Sequence, residues 1–381
     1  MKSKSKLVII SHTGHQMHPE YGPVGWGPTI REVNFMAQHW DEVVHVACLE
    51  RGKPEGSSLP YAQTNIHFEP IPAFGGARWW QKLDIIYKAP KVLLTVHRAL
   101  RGATEVQIRL PMSMGVFLMP YFKWVATRSF RLWVKFATNW GQPSRAASYR
   151  WQQRWLNNNW LNCPVTINGE WPNQPQHCKT FENPCLTGEQ YNQGERVALQ
   201  KALNPPYTLI FIGRVDADKG VDLLMESMTE WPITDIAKMH IVGDGPLLEA
   251  WKNKFVDSGI AAVFHGFITQ EAIFRLLAES HFLLLPSRSE GFPKVVAEAL
   301  NFGCVPIVSG VGSIPYYIRE GETGILISAL KGQSVATALT RAAHTGVAKH
   351  QQMMQAGRHL ARRFTFEAYF QLLQKAVLNA F

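Results

Sequence analysis

The sequence has few cysteines and no long run of uncharged apolar residues. Five cysteines occur among 381 residues, and no two of them are spaced as Cys-x-x-Cys. An odd number without paired spacing argues against a disulfide framework and a zinc site, so we predict reduced thiols in a cytosolic protein. The most aromatic stretch, residues 112–136, is interrupted by Pro120, Lys123, Arg128 and Arg131. Because a membrane-spanning helix needs about 20 apolar residues, none is predicted.

Acidic residues are scarce in the first half of the chain. Residues 1–190 contain 21 Lys and Arg against 12 Asp and Glu, whereas residues 191–381 contain 18 against 17. Tryptophan has the same bias, because 11 of the 13 precede residue 190. The first half therefore calls for a negatively charged partner, and the second half has the composition of an ordinary soluble domain.

Apolar β-branched segments alternate with segments of helical spacing. Residues 6–11 are predicted to be the first strand, because this apolar run is too short for a signal peptide. A loop rich in Gly and Pro at residues 21–28 and a helix at 29–40 follow it. Further strands are predicted at residues 43–49, 105–110, 130–137 and 164–168, and then at 208–213, 239–245, 263–267, 282–287 and 305–310. Helices between such strands allow parallel pairing, so both halves are predicted to be α/β.

The two alternating series predict two domains. Residues 169–206 are rich in Pro, Asn, Gln and Gly, which favours a loop or interdomain connector. We assign residues 1–190 to an N-terminal domain and residues 191–361 to a C-terminal domain. The predicted fold is a pair of Rossmann-like, doubly wound domains facing a cleft. Ligands of such sheets bind beyond the carboxyl ends of the strands.

The turn in the segment FIGRVDADKG bears two cations. Gly213 lets the chain turn, and Arg214 and Lys219 lie close to that turn. Paired cations at a strand end suit a diphosphate, whose charge needs fixed positive partners. The alternative is a solvated loop in which Asp216 or Asp218 forms the salt bridge.

Two glutamates follow the strand predicted at 282–287. Glu290 and Glu298 are eight residues apart, so on a single helix their side chains would point roughly 80° apart. Pro293 in a first helical turn places Glu290 before the helix and Glu298 inside it. The N–H groups near Pro293 to Val295 then form an anion site between two carboxylates, which accept hydrogen bonds from sugar hydroxyls. This polarity is typical of a nucleotide-sugar site.

Together these motifs resemble the retaining glycosyltransferases of family 4, which have the two-domain GT-B fold. The resemblance rests on residues 207–328, where G-R-x-x-x-x-K-G, then V-G-D-G-P at 242–246, and then Glu-x7-Glu with G-x-V-P-I-V occur in order. Residues 1–190 resemble the family only in the opening strand, glycine loop and helix. Residues 364–377 look like the family's closing helix, so residues 362–381 are predicted to pack back on the N-terminal domain. The resemblance implies that residues 1–190 are the acceptor-side domain and residues 191–361 the nucleotide-sugar donor-binding domain.

The resemblance implies a role for each matching residue. Arg214 and Lys219 would bind the donor diphosphate and stabilise the departing nucleotide, and Glu290 would hold donor-sugar hydroxyls. These three residues form the predicted catalytic set, and Glu298 would bind the ribose hydroxyls. The other predicted donor-binding residues are Gly27, which would approach the donor phosphate, Gly213, the base contacts Phe267 and Ile268, and the backbone around Gly291, Phe292, Pro293, Lys294 and Val295.

The resemblance also implies that no metal and no other cofactor is needed, because cations and helix N-termini stabilise the leaving diphosphate. The Asp-Ala-Asp sequence beginning at Asp216 imitates an Asp-x-Asp metal motif, but it lies inside the cationic loop. Many members of the family have a His after the fourth N-terminal strand, where this chain has Asn139 and Trp140. His12 and His15 follow the first strand and are interpreted as ordinary loop residues. Both a protein base and a front-face reaction, in which the leaving phosphate takes the acceptor proton, remain open.

A basic region, residues 78–154, contains 14 Lys and Arg but only two acidic residues. Tryptophans are interleaved with these cations at Trp79, Trp80, Trp124, Trp133, Trp151 and Trp155. Such a composition suits an anionic membrane surface, single-stranded nucleic acid, or a solvated helix surface with some tryptophans in the core. No nucleic-acid fold signature is present, so we predict a membrane surface and no nucleic-acid partner.

We therefore predict a metal-independent, retaining glycosyltransferase of the hexosyltransferase type. It would move a sugar from a nucleotide-sugar to a saccharide acceptor, lipid-linked, in cell-surface polysaccharide or glycolipid synthesis. Its predicted location is cytoplasmic and peripheral on the inner face of the plasma membrane. One alternative is a hydrolysing nucleotide-sugar epimerase, which would have more acid/base groups around the donor phosphate. The other is a non-catalytic, membrane-associated GT-B protein, which would bind no nucleotide.

Overall fold

The chain divides into two compact units, which we call unit 1 and unit 2. The computed structural model describes residues 4–54, 56–73, 84–126, 129–141, 146–171, 173–201 and 204–380. Unit 1 consists of Met1–Phe181 and Phe370–Phe381, and unit 2 of Glu182–Tyr369. The boundary thus follows residue 181 rather than the predicted residue 190, and the chain returns to unit 1 at residue 370 rather than 362.

Unit 1 is built on a mostly parallel sheet. Its strands are β1 (Lys6–His18), β2 (Gly22–Trp26), β3 (Glu42–Leu49), β4 (Ser58–Pro60), β5 (Ile66–Pro72), β6 (Glu105–Leu110), β7 (Arg131–Phe136), β8 (Val165–Asn168) and β9 (Cys178–Phe181). The parallel part runs in the order β5-β3-β1-β6-β7-β8-β9, and β2 and β4 extend it in antiparallel pairing from β1. This confirms the α/β prediction for the first half.

The described helices of unit 1 cover the sheet. They are α1 (Gly27–Met36), α2 (Asp84–Ala99), α3 (Gly115–Trp124) and α4 (Ala147–Asn157). Alternate apolar residues of the central strands, such as Val8, Ile108 and Val134, are fully buried in one core with Val96 of α2 and Phe122 of α3. Among the described residues, no helix of either unit has the length and apolar character that crossing a membrane requires.

Unit 2 has a second, entirely parallel sheet with the strand order β12-β11-β10-β13-β14-β15. Its strands are β10 (Tyr207–Ile212), β11 (Ile236–Val242), β12 (Ala262–Gly266), β13 (Phe282–Leu285), β14 (Val305–Ser309) and β15 (Ile325–Ile327). Its helices are α5 (Gly188–Gln200), α6 (Val221–Ser227), α7 (Leu248–Ser258), α8 (Gln270–Glu279), α9 (Lys294–Asn301), α10 (Ile314–Tyr317), α11 (Gly332–Ala343) and α12 (Val347–Ala361). This strand order is that of a doubly wound nucleotide-binding sheet, as predicted.

The last helix, α13 (Phe366–Ala376), begins in unit 2 and ends in unit 1. Phe370 stacks on His39 with ring centroids 3.7 Å apart and lies edge-on to Trp40 at 5.9 Å. These aromatic contacts fix the returning segment on the residues that follow α1.

Two segments that were predicted to be loops are regular structure. The glycine-rich stretch at 21–28 contains β2, because it pairs with the extended end of β1 in a hairpin. The stretch at 169–206 contains β9 and α5. Helix α5 begins with a capping box, in which the Gln190 N–H donates to Thr187 Oγ1 (3.2 Å) and Gln190 Oε1 accepts from the Thr187 N–H (2.9 Å). This helix was not predicted from the sequence because few of its positions are buried, and it therefore lacks the apolar periodicity that indicates a helix.

A buried histidine makes the stability of unit 2 depend on pH. His350 in α12 is fully buried, stacks on Phe282 at 4.8 Å, and has no hydrogen-bond partner at either ring nitrogen. Burial, and then the charges of His281 and Lys201, lower the pKa of His350 to about 4. The unfolded chain, with an ordinary pKa of 6.5, therefore binds the proton more readily. This contribution to stability is complete above pH 6.5 and is lost as the pH falls through 4.

We expect that His350→Phe removes this dependence. Between pH 7 and pH 4 the free energy of unfolding of the native chain should fall by about 3 kcal/mol more than that of the variant. Urea unfolding at a series of pH values measures the free energy of unfolding of both proteins. If the two free energies fall equally between pH 7 and pH 4, His350 does not contribute to the pH dependence as its burial requires.

Candidate active site

The predicted catalytic residues Arg214, Lys219 and Glu290 lie in the loops at the point where the strand order of unit 2 reverses. Strands β10 and β13 are neighbours on either side of this point, and the loops that follow them begin at Gly213 and Pro286. Gly220 has a φ of +74°, and a Cβ added there would lie 2.1 Å from the Pro286 carbonyl oxygen. A glycine is therefore what allows the two loops to touch. Ligands of doubly wound sheets bind at this kind of position.

Lys219 and Glu290, two of the three predicted catalytic residues, form an ion pair across these loops. Lys219 Nζ donates to Glu290 Oε1, and Ser287 Oγ donates to the same oxygen at 2.8 Å. The Glu290 side chain is 10% exposed and the Lys219 side chain is 29% exposed. The pair is thus held in place but remains within reach of a ligand.

Arg214, the third predicted catalytic residue, lies at the rim of the same site. Its side chain is 69% exposed, and Nε donates to the Asp216 carboxylate. Burial acts to raise the pKa of Asp216, but the Lys219 backbone N–H (3.0 Å) and Arg214 outweigh it, and the pKa is lowered. Asp216 therefore shapes the cationic loop as a carboxylate, so the salt bridge named as the alternative for this loop does exist. Within the described ranges no group of three or more His, Cys, Asp or Glu is placed to hold a metal ion.

A second clamp between the two loops was not predicted. Arg288 donates from Nη1 and Nη2 to the two carboxylate oxygens of Asp222, at 2.7 and 2.6 Å, and its backbone N–H donates to the Asp218 carbonyl at 2.9 Å. This bidentate geometry fixes both direction and distance. The partners are 66 residues apart, so no local pattern announces the pair. Arg288 thereby holds the Glu290 loop against the Lys219 loop.

Helix α9 begins where the sequence predicts. Pro293 is the N-cap with a ψ of 123°, and the helix runs from Lys294, so that Glu290 precedes it and Glu298 lies inside it. Glu298 is 8% exposed, and Gln270 Nε2 of α8 donates to its Oε1 at 2.7 Å. Lys294 and Val295 form the first helical turn, whose N–H groups are oriented to receive an anion.

The segment between Glu290 and α9 presents its backbone rather than its side chains. The Gly291 carbonyl accepts hydrogen bonds from the Ser313 N–H (3.0 Å) and Oγ (2.9 Å). The Phe292 ring is 6% exposed and packs against Phe364 and Tyr317, at centroid distances of 4.7 and 4.5 Å. The Phe292 side chain therefore belongs to the core, and only its backbone remains available for the predicted donor-binding role.

The loops after β10, β11 and β12 are connected in series. The Gly213 N–H donates to the Val242 carbonyl at 3.0 Å, and the Gly243 N–H donates to the Gly266 carbonyl at 2.9 Å. Beyond Gly266, the Phe267 side chain is 74% exposed, whereas Ile268 packs against the core. The predicted base contacts thus lie at the same edge of the sheet as the cationic loop.

Gly27 lies in unit 1, whereas the other predicted site residues lie in unit 2. It starts α1, and its N–H donates to the Ser57 carbonyl at 3.0 Å. Its approach to a donor phosphate stays a prediction.

Asn139 and Trp140 stand where many family members have a His. Both residues make contacts with their neighbours in sequence. Asn139 Oδ1 accepts from the Gly141 N–H at 3.1 Å, and Trp140 is buried against Phe136.

His15 is a correction to the sequence prediction, because it is a buried residue of β1 rather than a loop residue. Tyr61 joins its ring to a second histidine: the Tyr61 hydroxyl lies 2.8 Å from His15 Nε2 and 2.7 Å from His45 Nδ1. The chain continues to Ser11 Oγ, 2.8 Å from His45 Nε2. Burial, followed by the charges of His15 and Arg109, holds the pKa of His45 well below its ordinary value. The bonded partners are 16 to 46 residues apart, so no local sequence motif predicts that they meet. His12 also lies within β1 and is half-buried.

Comparison with known proteins identifies the family of the segment that contains this site. Residues 206–345 match the family described as Glycosyl transferases group 1. The chain is 31% identical over 140 residues to sulfoquinovosyl transferase SQD2 of Arabidopsis thaliana, which is 36% of this chain and 26% of that protein. It is 32% identical over 144 residues to starch synthase 2 of the same organism, which is 34% of this chain and 18% of that protein. The matches thus span well under two thirds of the relatives' length.

Solved structures resemble the whole chain. An Anabaena protein, HepE, in complex with UDP and glucose superposes with a TM-score of 0.67 and 15% identity, covering 99% of this chain and 100% of that one. Sucrose-phosphate synthase from Thermosynechococcus elongatus superposes with a TM-score of 0.69 and 16% identity at the same coverage. At such identities the likeness shows the fold. Residues 206–345 are therefore a glycosyl transferases group 1 domain, within a chain that has the two-domain fold of the GT-B glycosyltransferases.

Proposed function

We propose that this chain is a retaining, metal-independent glycosyltransferase that moves a hexosyl group from a nucleotide-sugar to a saccharide acceptor. The observation that supports it best is the Lys219–Glu290 pair at the β10/β13 edge, in a unit whose helix α9 also carries the buried Glu298. Two comparisons also support the proposal. The family match covers Lys219, Glu290 and Glu298, and HepE, which has the same fold, was solved with UDP and glucose. A lipid-linked acceptor and a role in cell-surface polysaccharide or glycolipid synthesis belong to the same proposal.

In this proposal the cations stabilise the leaving diphosphate, and the carboxylate of Glu290 binds the sugar. As the bond from the sugar to the diphosphate breaks, negative charge grows on the leaving oxygen. Lys219 and the exposed Arg214 guanidinium stabilise that charge, together with the N–H groups at the start of α9. Once Lys219 turns to the phosphate, the Glu290 carboxylate is able to accept hydrogen bonds from sugar hydroxyls. In a front-face reaction the leaving phosphate takes the acceptor proton, so no protein base is required.

The nucleotide half of this proposal predicts a role for Glu298. Glu298→Ala should weaken binding of the preferred nucleoside diphosphate roughly tenfold or more, because a buried carboxylate that accepts ribose hydroxyls is lost. Thermal unfolding with UDP, GDP and ADP measures this, since a ligand that binds only the folded state raises Tm. Glu249→Ala is the matched control, because Glu249 in α7 of the same unit is 79% exposed. If no nucleotide stabilises the native chain, or if stabilisation survives Glu298→Ala unchanged, the donor-site assignment is wrong.

We also propose peripheral binding to an anionic membrane surface at the cytoplasmic face. Trp124 and Trp151 are 71% and 57% exposed, whereas Trp133 is fully buried and Trp155 packs partly against the core. The basic region therefore combines exposed tryptophans with core tryptophans. Trp79 and Trp80 lie outside the described residues. Exposed Trp with surrounding cations suits the headgroup layer, where each cation adds about 1 kcal/mol.

Flotation with vesicles tests this membrane proposal. The native chain should float with phosphatidylglycerol vesicles and remain behind with phosphatidylcholine vesicles, and the preference should weaken as salt is raised. The double variant Trp124→Ala/Trp151→Ala should float several-fold less well. Val256→Ala in unit 2, at a position 82% exposed, is the control for loss of any surface apolar group. Equal flotation with both lipids at moderate salt would contradict the proposal.

A further inference from the structure

The side-chain amide of Gln270, the first residue of α8, donates hydrogen bonds in two directions. Gln270 Nε2 lies 2.7 Å from Glu298 Oε1 of α9 and 3.4 Å from the Cys185 carbonyl oxygen. A carboxylate and a carbonyl both accept hydrogen bonds, so the amide nitrogen, which has two hydrogens, is the end that faces them. One half-buried glutamine therefore connects α8, α9 and the segment that follows β9.

The Cys185 end of this connection is fixed in the core of unit 2. Cys185 is 4% exposed, and its N–H donates to the Phe364 carbonyl at 2.9 Å. The next residue, Leu186, pairs with Thr365 in a parallel bridge. The carbonyl that Gln270 contacts thus has a defined position, so it holds the amide in place independently of Glu298.

The start of α8 holds the Gln270 backbone in place as well. Thr269 is the N-cap of this helix, and its side chain accepts a hydrogen bond from the Ala272 N–H at 3.3 Å. Phe267 and Ile268, the predicted base contacts, come directly before the cap. The predicted base contacts and the amide that bonds Glu298 are therefore parts of one continuous segment, residues 267–270.

Glu298 is a side chain whose direction has to be fixed. It is 8% exposed and lies in the second turn of α9, between Ala297 and Ala299, which are fully buried. A glutamate has several rotamers, and a ligand gains most from a carboxylate that is already aimed at it. A hydrogen bond from an amide selects one rotamer and favours the ionised carboxylate, and unlike an ion pair it adds no opposite charge.

We propose that Gln270 is a positioning residue for the nucleotide: it orients the Glu298 carboxylate toward the ribose hydroxyls, so that affinity depends on those hydroxyls. This inference rests on the proposed function, in which Glu298 is the ribose contact. Because Gln270 acts through Glu298, its contribution is present only when the ligand has ribose hydroxyls to bind.

Calorimetric titration of the full chain with UDP, GDP and ADP, and with their 2′,3′-dideoxy counterparts, tests this proposal. The native chain should bind one ribonucleotide roughly tenfold more tightly than its dideoxy counterpart. Gln270→Met has a similar length but no donor, so it should weaken ribonucleotide binding about fivefold and leave dideoxynucleotide binding unchanged. Gln333→Met, at an exposed position in the first turn of α11, is the matched control and should change neither.

Kinetics with the nucleotide-sugar gives a second readout. Gln270→Met should raise KM and leave kcat nearly unchanged, because the ribose is not part of the bond that breaks. Gln270→Glu has the same shape and also lacks the donor, so it provides the same test if Gln270→Met does not fold.

Two results would overturn the positioning role of Gln270. One is an equal loss of affinity for ribonucleotide and dideoxynucleotide, which a merely structural residue would give, and the other is no loss for either. If ribonucleotides are preferred through Glu298 but Gln270→Met keeps that preference, this inference fails and the proposed function stands. If no nucleotide binds the native chain, both fail.

Discussion

Lys219→Ala is expected to lower kcat by roughly 10²–10³-fold, the loss typical of removing one preorganised donor to a developing negative charge. The effect on KM should be smaller, because the charge on the leaving oxygen grows only as the bond breaks. Lys219 lies at the edge where β10 and β13 meet and is held by Glu290, so its ammonium is positioned before the donor arrives. Steady-state kinetics on the preferred nucleotide-sugar measures both constants.

The matched control is a second lysine–glutamate pair in the same unit. Lys252 Nζ lies 2.7 Å from Glu249 Oε1, and both side chains are well exposed, at 41% and 79%. Lys252→Ala should leave kcat unchanged, since exposed ion pairs contribute little. A kcat that is equally insensitive to both substitutions would remove Lys219 from the reaction. Circular dichroism of each variant establishes that the fold is retained.

Glu290→Gln is expected to reduce kcat roughly 100-fold or more while nucleoside diphosphate binding holds or improves. Glutamine has the same shape and can still accept the hydrogen bond from Ser287, but it loses the charge that would grip the sugar hydroxyls and pair with Lys219. Lys219, released from its partner, becomes more available to the diphosphate. Turnover and product affinity should therefore move in opposite directions.

This opposition separates a role in the reaction from a role in stability. A structural glutamate would lower turnover and nucleotide affinity together, because a loosened loop harms both. Glu249→Gln serves as the control for loss of a carboxylate in unit 2. Unchanged kcat for Glu290→Gln, or a parallel loss of nucleotide affinity, would contradict the assignment of Glu290.

The sequence predicted the elements of the donor site because each signal was local. The strand at 282–287 and the α9 boundary at Pro293 were predicted from composition and from proline geometry, and the structure has a strand at Phe282–Leu285 and a helix that follows Pro293. Lys219 and Glu290 were predicted to share a site because the carboxyl ends of parallel strands meet at one edge. Their direct ion pair, across 71 residues, was not predicted.

The residues that were missed are those whose partners are distant in sequence. Arg288 gains its position from Asp222, and Arg109 and Lys135 gain theirs from Glu32, 77 and 103 residues away. Strand alternation says only that Arg109 and Lys135 face the side opposite their apolar neighbours. Which carboxylate reaches them depends on how α1 lies on the sheet, and composition does not encode that.

The loops that were wrongly predicted have a similar cause. Residues 21–28 and 169–206 have the composition of turns, but pairing with β1 and β8 makes strands of parts of them. The capping box of α5 was present in the sequence as Thr187 and Gln190. It was hidden by the polar composition that surrounds it.

Release of nucleoside diphosphate from a labelled nucleotide-sugar decides whether this chain transfers a sugar. The donor is the one whose nucleotide raises Tm most, and the acceptor is water or a lipid and saccharide extract. We expect that the native chain releases nucleoside diphosphate in step with transfer of the label, that the transferred sugar keeps its anomeric configuration, and that Lys219→Ala abolishes most of the release. A chain that binds the nucleotide through Glu298 but releases none from any donor would contradict this expectation.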